Sequence, residues 1–177
     1  MKYKVIINSL ILVLLANFAS GQVSIGGKQT VEGAATILDF NSQTGNTKGI
    51  ILPAVDNLTN ALSATTTANN GTFLFNKANQ KIQMYENNMW VDLSDNGNST
   101  SLLINSSVEK TGGAIIGAEA SSAKGVLILE SSDKAMILPR ISEPHINVKS
   151  PYPGMMCYDT ISKTLAMFDG NVWNYWK

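Results

Sequence analysis

Two stretches of this sequence repeat one segment. Residues 71–90 read GTFLFNKANQKIQMYENNMW, and residues 154–173 read GMMCYDTISKTLAMFDGNVW. The two align without a gap, so that Trp90 corresponds to Trp173. Both alternate apolar and polar residues and break at short turn segments, a pattern typical of a three-stranded β-meander. A small repeated sheet of this kind has faces that must be buried against neighbouring units.

The alternation predicts three strands in each copy. In copy one they are TFLFN, KIQMY and MWVDL, and in copy two MMCYD, TLAMF and VWNYW. Asp169-Gly170, at the second turn of copy two, is a strong hairpin signal. Four apolar side chains at alternate positions are predicted to lie on equivalent faces: Ile82, Met84, Leu165 and Met167.

The duplication extends upstream of the meanders. The segment KGIILP at 48–53 corresponds to KAMILP at 134–139, and the apolar stretches ATILDF and GVLILE precede them. Proline suits the end of a buried strand because it cannot donate to a β-ladder. We therefore predict copy one over residues 22–94, a polar linker over 95–112 and copy two over 113–177.

Between the Leu-Pro strand and the meander the copies differ. DNLTNALSA in copy one predicts a helix of about one turn, with Asp56 as N-cap and with Leu58 and Leu62 on one face. SEPHINVKSPYPG in copy two contains three prolines, which favours an irregular crossing. The predicted fold is mainly β, with two copies of a small antiparallel β-meander module joined by a short helix or an irregular crossing.

The N-terminus predicts a signal peptide over residues 1–21. Lys2 and Lys4 precede an apolar run, and Ala19-Ser20-Gly21 offers a cleavage site. The run is shorter than the ~20 residues that span a bilayer. We therefore expect a secreted protein without a membrane span after cleavage, located outside the cell or on the outer cell surface.

The charge of the chain argues against a nucleic-acid-binding protein, and its cysteine content excludes a domain held by intrachain disulfides. Removal of Lys2 and Lys4 would leave 11 Lys and Arg against 13 Asp and Glu, with no basic cluster to bind a nucleic acid. Cys157 is the only cysteine, so no intrachain disulfide can form. It aligns with Leu74, which predicts a buried structural residue. Stability must then come from the core or from association.

The repeated motifs resemble a module of secreted Gram-negative bacterial proteins, in the style of phage tail-fibre and tail-collar domains. The motifs are Ile-Gly, Leu-Asp followed by Ser, Lys-Gly-x-x-Leu-Pro, and Tyr-x-Gly-x-x-Trp, of which versions occur twice in order. Copy one departs from the pattern, with Ala54 in place of Arg140 and Asn87 in place of the turn glycine. The resemblance implies a fibre-like or adhesin-like protein that intertwines as a trimer, and it brings no enzymatic residues.

No catalytic, cofactor or metal site is predicted. His145 is the only histidine and follows a proline in an expected loop, without a second ligand at a suitable spacing. Asp39 and Glu130 recur in both copies at strand ends, where bonds to the backbone are the simpler role. A glycoside hydrolase built on such acids is the least favoured alternative.

Aromatic residues are the candidate contact sites. We predict that Trp90 and Trp173 pack within the repeats, together with Tyr85 and Phe168, because they recur at equivalent positions. Tyr175 and Trp176 have no aromatic counterpart in copy one and are the candidates for a protein or surface-glycan contact.

The sequence therefore favours a secreted, non-enzymatic structural or adhesin-like protein that forms a homo-oligomer, with a trimer preferred. The alternative is a carbohydrate-binding module that uses Tyr175 and Trp176. Thr160 also fits a short O-glycan acceptor pattern.

Overall fold

The structure, a computed structural model, describes residues 21–62, 67–103, 107 and 112–177. Residues 1–20 of the predicted signal peptide lie outside this range. The strands in chain order are β1 (Val23–Ile25), β2 (Thr36–Phe40), β3 (Ile50–Ile51), β4 (Ala54–Val55), β5 (Thr72–Asn76), β6 (Lys81–Glu86), β7 (Met89–Asp92), β8 (Ala114–Ile116), β9 (Leu127–Leu129), β10 (Ala135–Met136), β11 (Arg140–Ile141), β12 (Met155–Asp159), β13 (Thr164–Phe168) and β14 (Trp173–Trp176).

The two predicted meanders are confirmed. β5, β6 and β7 pair antiparallel in sequence order, as do β12, β13 and β14. The tight turn of copy one holds Asn87 at φ 50° and Asn88 at φ 64°, and that of copy two holds Gly170 at φ 98°. Asn and Gly tolerate this left-handed region better than other residues, which is why they occupy the hairpin turns.

The upstream stretches form parallel pairs that the sequence pattern did not specify. β1 pairs with β2, and the equivalent strands β8 and β9 pair in the same way. The registers differ by two residues, because Ile25 lies opposite Phe40 whereas Ile116 lies opposite Leu129. A shift of two preserves the alternation of faces along a strand.

The Leu-Pro segments are exchanged between the copies. β3 of copy one pairs antiparallel with β12 of copy two, opposing Ile50 to Met156. β10 of copy two pairs in parallel with β2 of copy one, opposing Met136 to Leu38. After each proline the chain returns to its own copy, where β4 pairs with β5 and β11 with β12, both in parallel. Each copy therefore supplies a strand to the other.

In the described ranges, two short α-helices and a 3-10 helix (Thr67–Asn69) precede the meanders. The two α-helices correct two predictions. Helix α1 (Leu58–Ala61) is capped by Asn57 rather than by Asp56, since the Asn57 side chain accepts the Thr59 N–H at 2.9 Å. Helix α2 (Pro144–Asn147) replaces the expected irregular crossing of copy two. Its proline lies at the helix start, where a missing N–H and a fixed φ are tolerated.

The main core lies between the two meanders. Its buried members are Leu52, Phe75, Ile82, Leu93, Met156 and Met167. Met84 and Leu165 pack against it, so all four side chains predicted to lie on equivalent faces meet in one core. A smaller cluster of Ile141, Met155, Cys157 and Ala166 fills the other face of the copy-two meander. The copies thus bury their equivalent faces on each other.

The first part of the predicted linker packs on copy two. Asn98 donates its backbone N–H to the carbonyl oxygen of Asp169 at 2.8 Å, and Leu103 donates its N–H to the Tyr152 hydroxyl at 2.7 Å. A β-carbon added to Gly97 would lie 1.9 Å from the Asp169 carbonyl oxygen. Residues 104–106 and 108–111 of the linker lie outside the described residues.

Candidate assembly surface and aromatic sites

The recurring tryptophans form equivalent aromatic pairs across the strands of each meander. Tyr85 lies opposite Trp90, with ring centroids 5.3 Å apart in an edge-to-face arrangement. Phe168 lies opposite Trp173, with centroids 5.5 Å apart. Tyr85 is buried, and Trp90 and Trp173 are half-buried. Cross-strand aromatic pairs stabilise a sheet by ~0.2–1 kcal/mol each relative to alanine pairs.

Trp176 joins the two copies. Its indole Nε1 donates to the main-chain carbonyl oxygen of Leu93 at 2.5 Å, although 45% of the residue's surface stays exposed. The polar atom of this side chain is therefore used inside the chain, while part of the ring faces solvent.

Tyr175 points to the opposite side of β14 from Trp176. Its hydroxyl lies 2.9 Å from His145 Nδ1, and the two rings meet edge to face. Partial burial raises the pKa of the Tyr175 hydroxyl, and Asp159 and Cys157 raise it further. His145 belongs to α2 and not to the expected loop, and it is exposed. Tyr175 and Trp176 are thus adjacent in β14, but each contacts a different part of the chain.

A charged network on copy one was not predicted from sequence. The buried Asp39 carboxylate accepts Lys28 Nζ at 2.6 Å and the Glu32 N–H at 2.8 Å. Burial disfavours its ionised form, but these bonds outweigh burial and hold the pKa of Asp39 below its usual value. Its second oxygen, Oδ1, is buried without a hydrogen-bond partner in the described chain.

The network continues into copy two. Arg140 contacts Glu32 at 3.2 Å, and Glu32 also lies 3.1 Å from Lys28. Ala54 stands at the position of Arg140 in copy one, so the network has no symmetric counterpart. The difference between Ala54 and Arg140 is the feature of the sequence that indicates this asymmetry. Glu130, the equivalent of Asp39, instead accepts a short hydrogen bond from the Ser121 hydroxyl.

Cys157 is a buried structural residue, as predicted. It is fully buried, and this burial, with Asp159 nearby, raises the pKa of the thiol to about 12. A thiol of this kind is a poor nucleophile because the thiolate is the reactive form.

Across the residues that the structure describes, no cluster of His, Cys, Asp and Glu could hold a metal ion. Within the same ranges, no helix is both long and apolar enough to cross a membrane.

Equivalent strands of the two copies are covered unequally. Ile37 and Leu38 of β2 are buried between β1 and β10. In copy two, 67% of Val126 and 47% of Leu127 stay exposed, at the start of β9. Ile51 of β3 is also 55% exposed. Apolar side chains thus concentrate at strand edges that lack a partner in the described chain, which is typical of an interaction surface.

Comparison with known families identifies the repeat. The family model of the phage tail like trimerisation region matches residues 26–107 and 115–177. Comparisons with curated proteins and with solved structures gave no match. The match to this family model supports a homo-oligomeric, fibre-like structural protein. Because the family model covers most of the sequence in two stretches, the chain belongs to the phage tail like trimerisation family.

Proposed function

We propose that the protein is a secreted, non-enzymatic structural component that acts as a homotrimer at the cell surface or outside the cell, in an adhesin-like role. The observation that carries this proposal is the strand exchange between the copies. β3 leaves copy one to pair with β12, and β10 leaves copy two to pair with β2. A module that completes its sheets with strands from a neighbour is built for association.

The family supports the trimeric state, and the exposed apolar edges support association in general. A small sheet with open edges is a poor monomer, because unpaired backbone groups and apolar side chains face water. The predicted signal peptide supports secretion. The absence of a catalytic motif in the sequence favours a structural role over an enzymatic one.

The carbohydrate-binding alternative has less support. A sugar platform needs exposed rings with polar atoms free to bind hydroxyl groups. The Trp176 indole N–H already bonds to Leu93, and the Tyr175 hydroxyl already bonds to His145.

Light scattering coupled to size exclusion tests the oligomeric state. The secreted chain is measured over a hundredfold range of concentration. A mass of three chains at all concentrations supports the proposal. A mass of one chain throughout overturns it, because each exposed edge would then be a stable surface of the monomer.

A further inference from the structure

The relation between the two copies is not twofold. A twofold axis would make every contact reciprocal, so that β10 on β2 would be matched by β3 on β9. The structure pairs β10 with β2, but β9 pairs only with β8 in the described chain. Likewise β3 pairs with β12, while β10 does not pair with β5. The contact is therefore head-to-tail, with one edge left open at each end.

We propose that the open edge of β9 binds β3 from a second copy of this chain, in parallel. This inference rests on the proposed homo-oligomer and assigns the contact that builds it. The occupant is identified by the chain itself, since the equivalent edge of β2 is occupied by β10, and β10 lies in the segment equivalent to that of β3.

The backbone groups of β9 face the correct way for this pairing. The Ala114 N–H donates to the Val126 carbonyl oxygen, and the Glu130 N–H donates to that of Ile116, both at 2.9 Å. Residues 126 and 130 therefore face β8. Because successive residues of a strand direct their backbone groups to opposite edges, Leu127 and Leu129 direct theirs to the open edge.

β3 has a matching free edge. The Leu52 N–H donates to the Gly154 carbonyl oxygen at 3.0 Å, and Ile50 lies opposite Met156, so residues 50 and 52 face β12. Ile51 directs its backbone groups the other way, to the edge of β3 that pairs with no strand in the described ranges. One bond between the two copies sets the expected contact, because the Ile137 N–H donates to the Leu38 carbonyl oxygen at 2.9 Å.

Transferred to the second copy, that bond runs from the Ile51 N–H to the Leu129 carbonyl oxygen. It would place Ile50 opposite Leu129, as Met136 lies opposite Leu38. The exposed side chains of Ile51, Val126 and Leu127 lie along this contact and would be covered by it. Binding of β3 from a second copy would thus both cover these apolar side chains and pair the open backbone edge of β9.

The contact of β3 with β12 has an equivalent, β10 on β5 of another copy, which the sequence of β10 disfavours. Ala135 stands at the position of Gly49, where a β-carbon would lie 2.7 Å from the Met156 carbonyl oxygen. Ala135 therefore cannot approach a meander as Gly49 does, and only the β9 edge is given a partner.

A matched pair of variants tests the contact by light scattering. Ile51→Lys places a charge at the assigned edge, and Ile161→Lys places one on an isoleucine that is 62% exposed in a turn of copy two. We expect Ile51→Lys and Leu127→Lys to lower the mass from three chains to one, while Ile161→Lys keeps three. Circular dichroism checks that each variant is folded.

A crosslink gives a second reading that does not depend on destabilising a variant. In a Cys157→Ala background, one chain carries Ile51→Cys and another carries Glu130→Cys, which continue the Ile50–Leu129 register. We expect a disulfide between chains only when the two are mixed, because directly opposed strand residues are within disulfide reach. Ile161→Cys replaces Ile51→Cys as the control.

The outcomes separate the inference from the proposed function. An oligomer that keeps its mass in both edge variants and forms no 51–130 crosslink overturns the β9 contact and leaves the trimer in place. A wild-type chain that is monomeric at every concentration overturns both.

Discussion

Trp176 donates its indole N–H to the carbonyl oxygen of Leu93, and these two residues occupy equivalent positions in the two copies. Equivalent residues touch only where the axis that relates the copies passes close to them. The core agrees, because equivalent residues such as Met84 and Met167 both belong to it. The copies are therefore arranged around an axis with their equivalent faces inward. A head-to-tail contact arranged in this way can close into a ring rather than extend as a straight filament.

Removing the Trp176 hydrogen bond should weaken the contact between copies. We expect Trp176→Phe to lower the free energy of unfolding by about 1 kcal/mol, since the Leu93 carbonyl loses its indole donor. Tyr175→Phe should cost less, because both ends of the Tyr175–His145 bond are near solvent. Urea denaturation at one fixed protein concentration compares the two variants. Equal losses would show that the Leu93 bond adds nothing to stability.

Asp39 should make the protein sensitive to acid. Because its folded-state pKa lies below the ordinary value of 3.8, the Asp39 carboxylate stabilises the fold above that pH, and this contribution is lost as the pH falls through the folded-state pKa. We expect Asp39→Asn to cost about 1.5–3 kcal/mol at neutral pH and to flatten the acid limb of the stability curve.

Asp133→Asn is the control for this acid limb. The Asp133 side chain is 73% exposed and contacts only sequence neighbours. Solvent screens these contacts, so Asp133→Asn should change the acid limb much less than Asp39→Asn does. Thermal denaturation between pH 2 and 7 measures both variants. An unchanged acid limb in Asp39→Asn would assign the acid sensitivity to other carboxylates.

Cys157 should resist thiol reagents in the native protein. With a pKa of about 12, only about one thiol in 10⁴ is ionised at pH 8, and the side chain is fully buried. We expect maleimide labelling to be limited by unfolding and to become fast in denaturant. Ile161→Cys in a Cys157→Ala background provides an exposed thiol for comparison. Labelling of native Cys157 at the rate of this exposed thiol would contradict the buried position.

The linker contact should depend on Gly97. A β-carbon there would overlap the Asp169 carbonyl oxygen, so Gly97→Ala must displace the backbone at the turn of copy two. We expect a loss of about 1–3 kcal/mol in the free energy of unfolding. Gly125→Ala is a suitable control, because its β-carbon would have its nearest contacts at 3.6 Å. Similar unfolding curves for the two variants would mean that the linker is not held on Asp169.

Local patterns predicted the meanders well, and physical reasons explain where prediction failed. The strands of each meander carry alternating apolar residues between turn signals, so the pattern and the structure agree. The N-cap of α1 moved by one residue because Asn57 and Asp56 are both competent caps. Pro144 starts a helix rather than preventing one, since proline is tolerated in the first turn.

The strand exchange could not be predicted from periodicity. β3 and β10 have two residues each, and the two Leu-Pro segments are similar in sequence, so no pattern chooses between their partners. Two departures between the copies carried the information. Gly49 permits the approach to Met156 that Ala135 would block, and Arg140 reaches Glu32 where Ala54 cannot. Their meaning depends on contacts between copies, which the sequence alone does not give.

Hydrogen exchange at β9 tests the central claim most directly. In the assembled protein, the amide of Leu129 should be protected by β3 of a second copy, because the equivalent Leu38 lies opposite Met136 of β10. Ile51→Lys should release this amide, while Ile161→Lys should leave it protected. Mass spectrometry of peptides that cover residues 126–130 measures this, with residues 36–40 of β2 as the internal reference. Slow exchange at both strands in the wild-type assembly is the predicted result. Rapid exchange at Leu129 in a protein that is oligomeric would contradict the assigned contact.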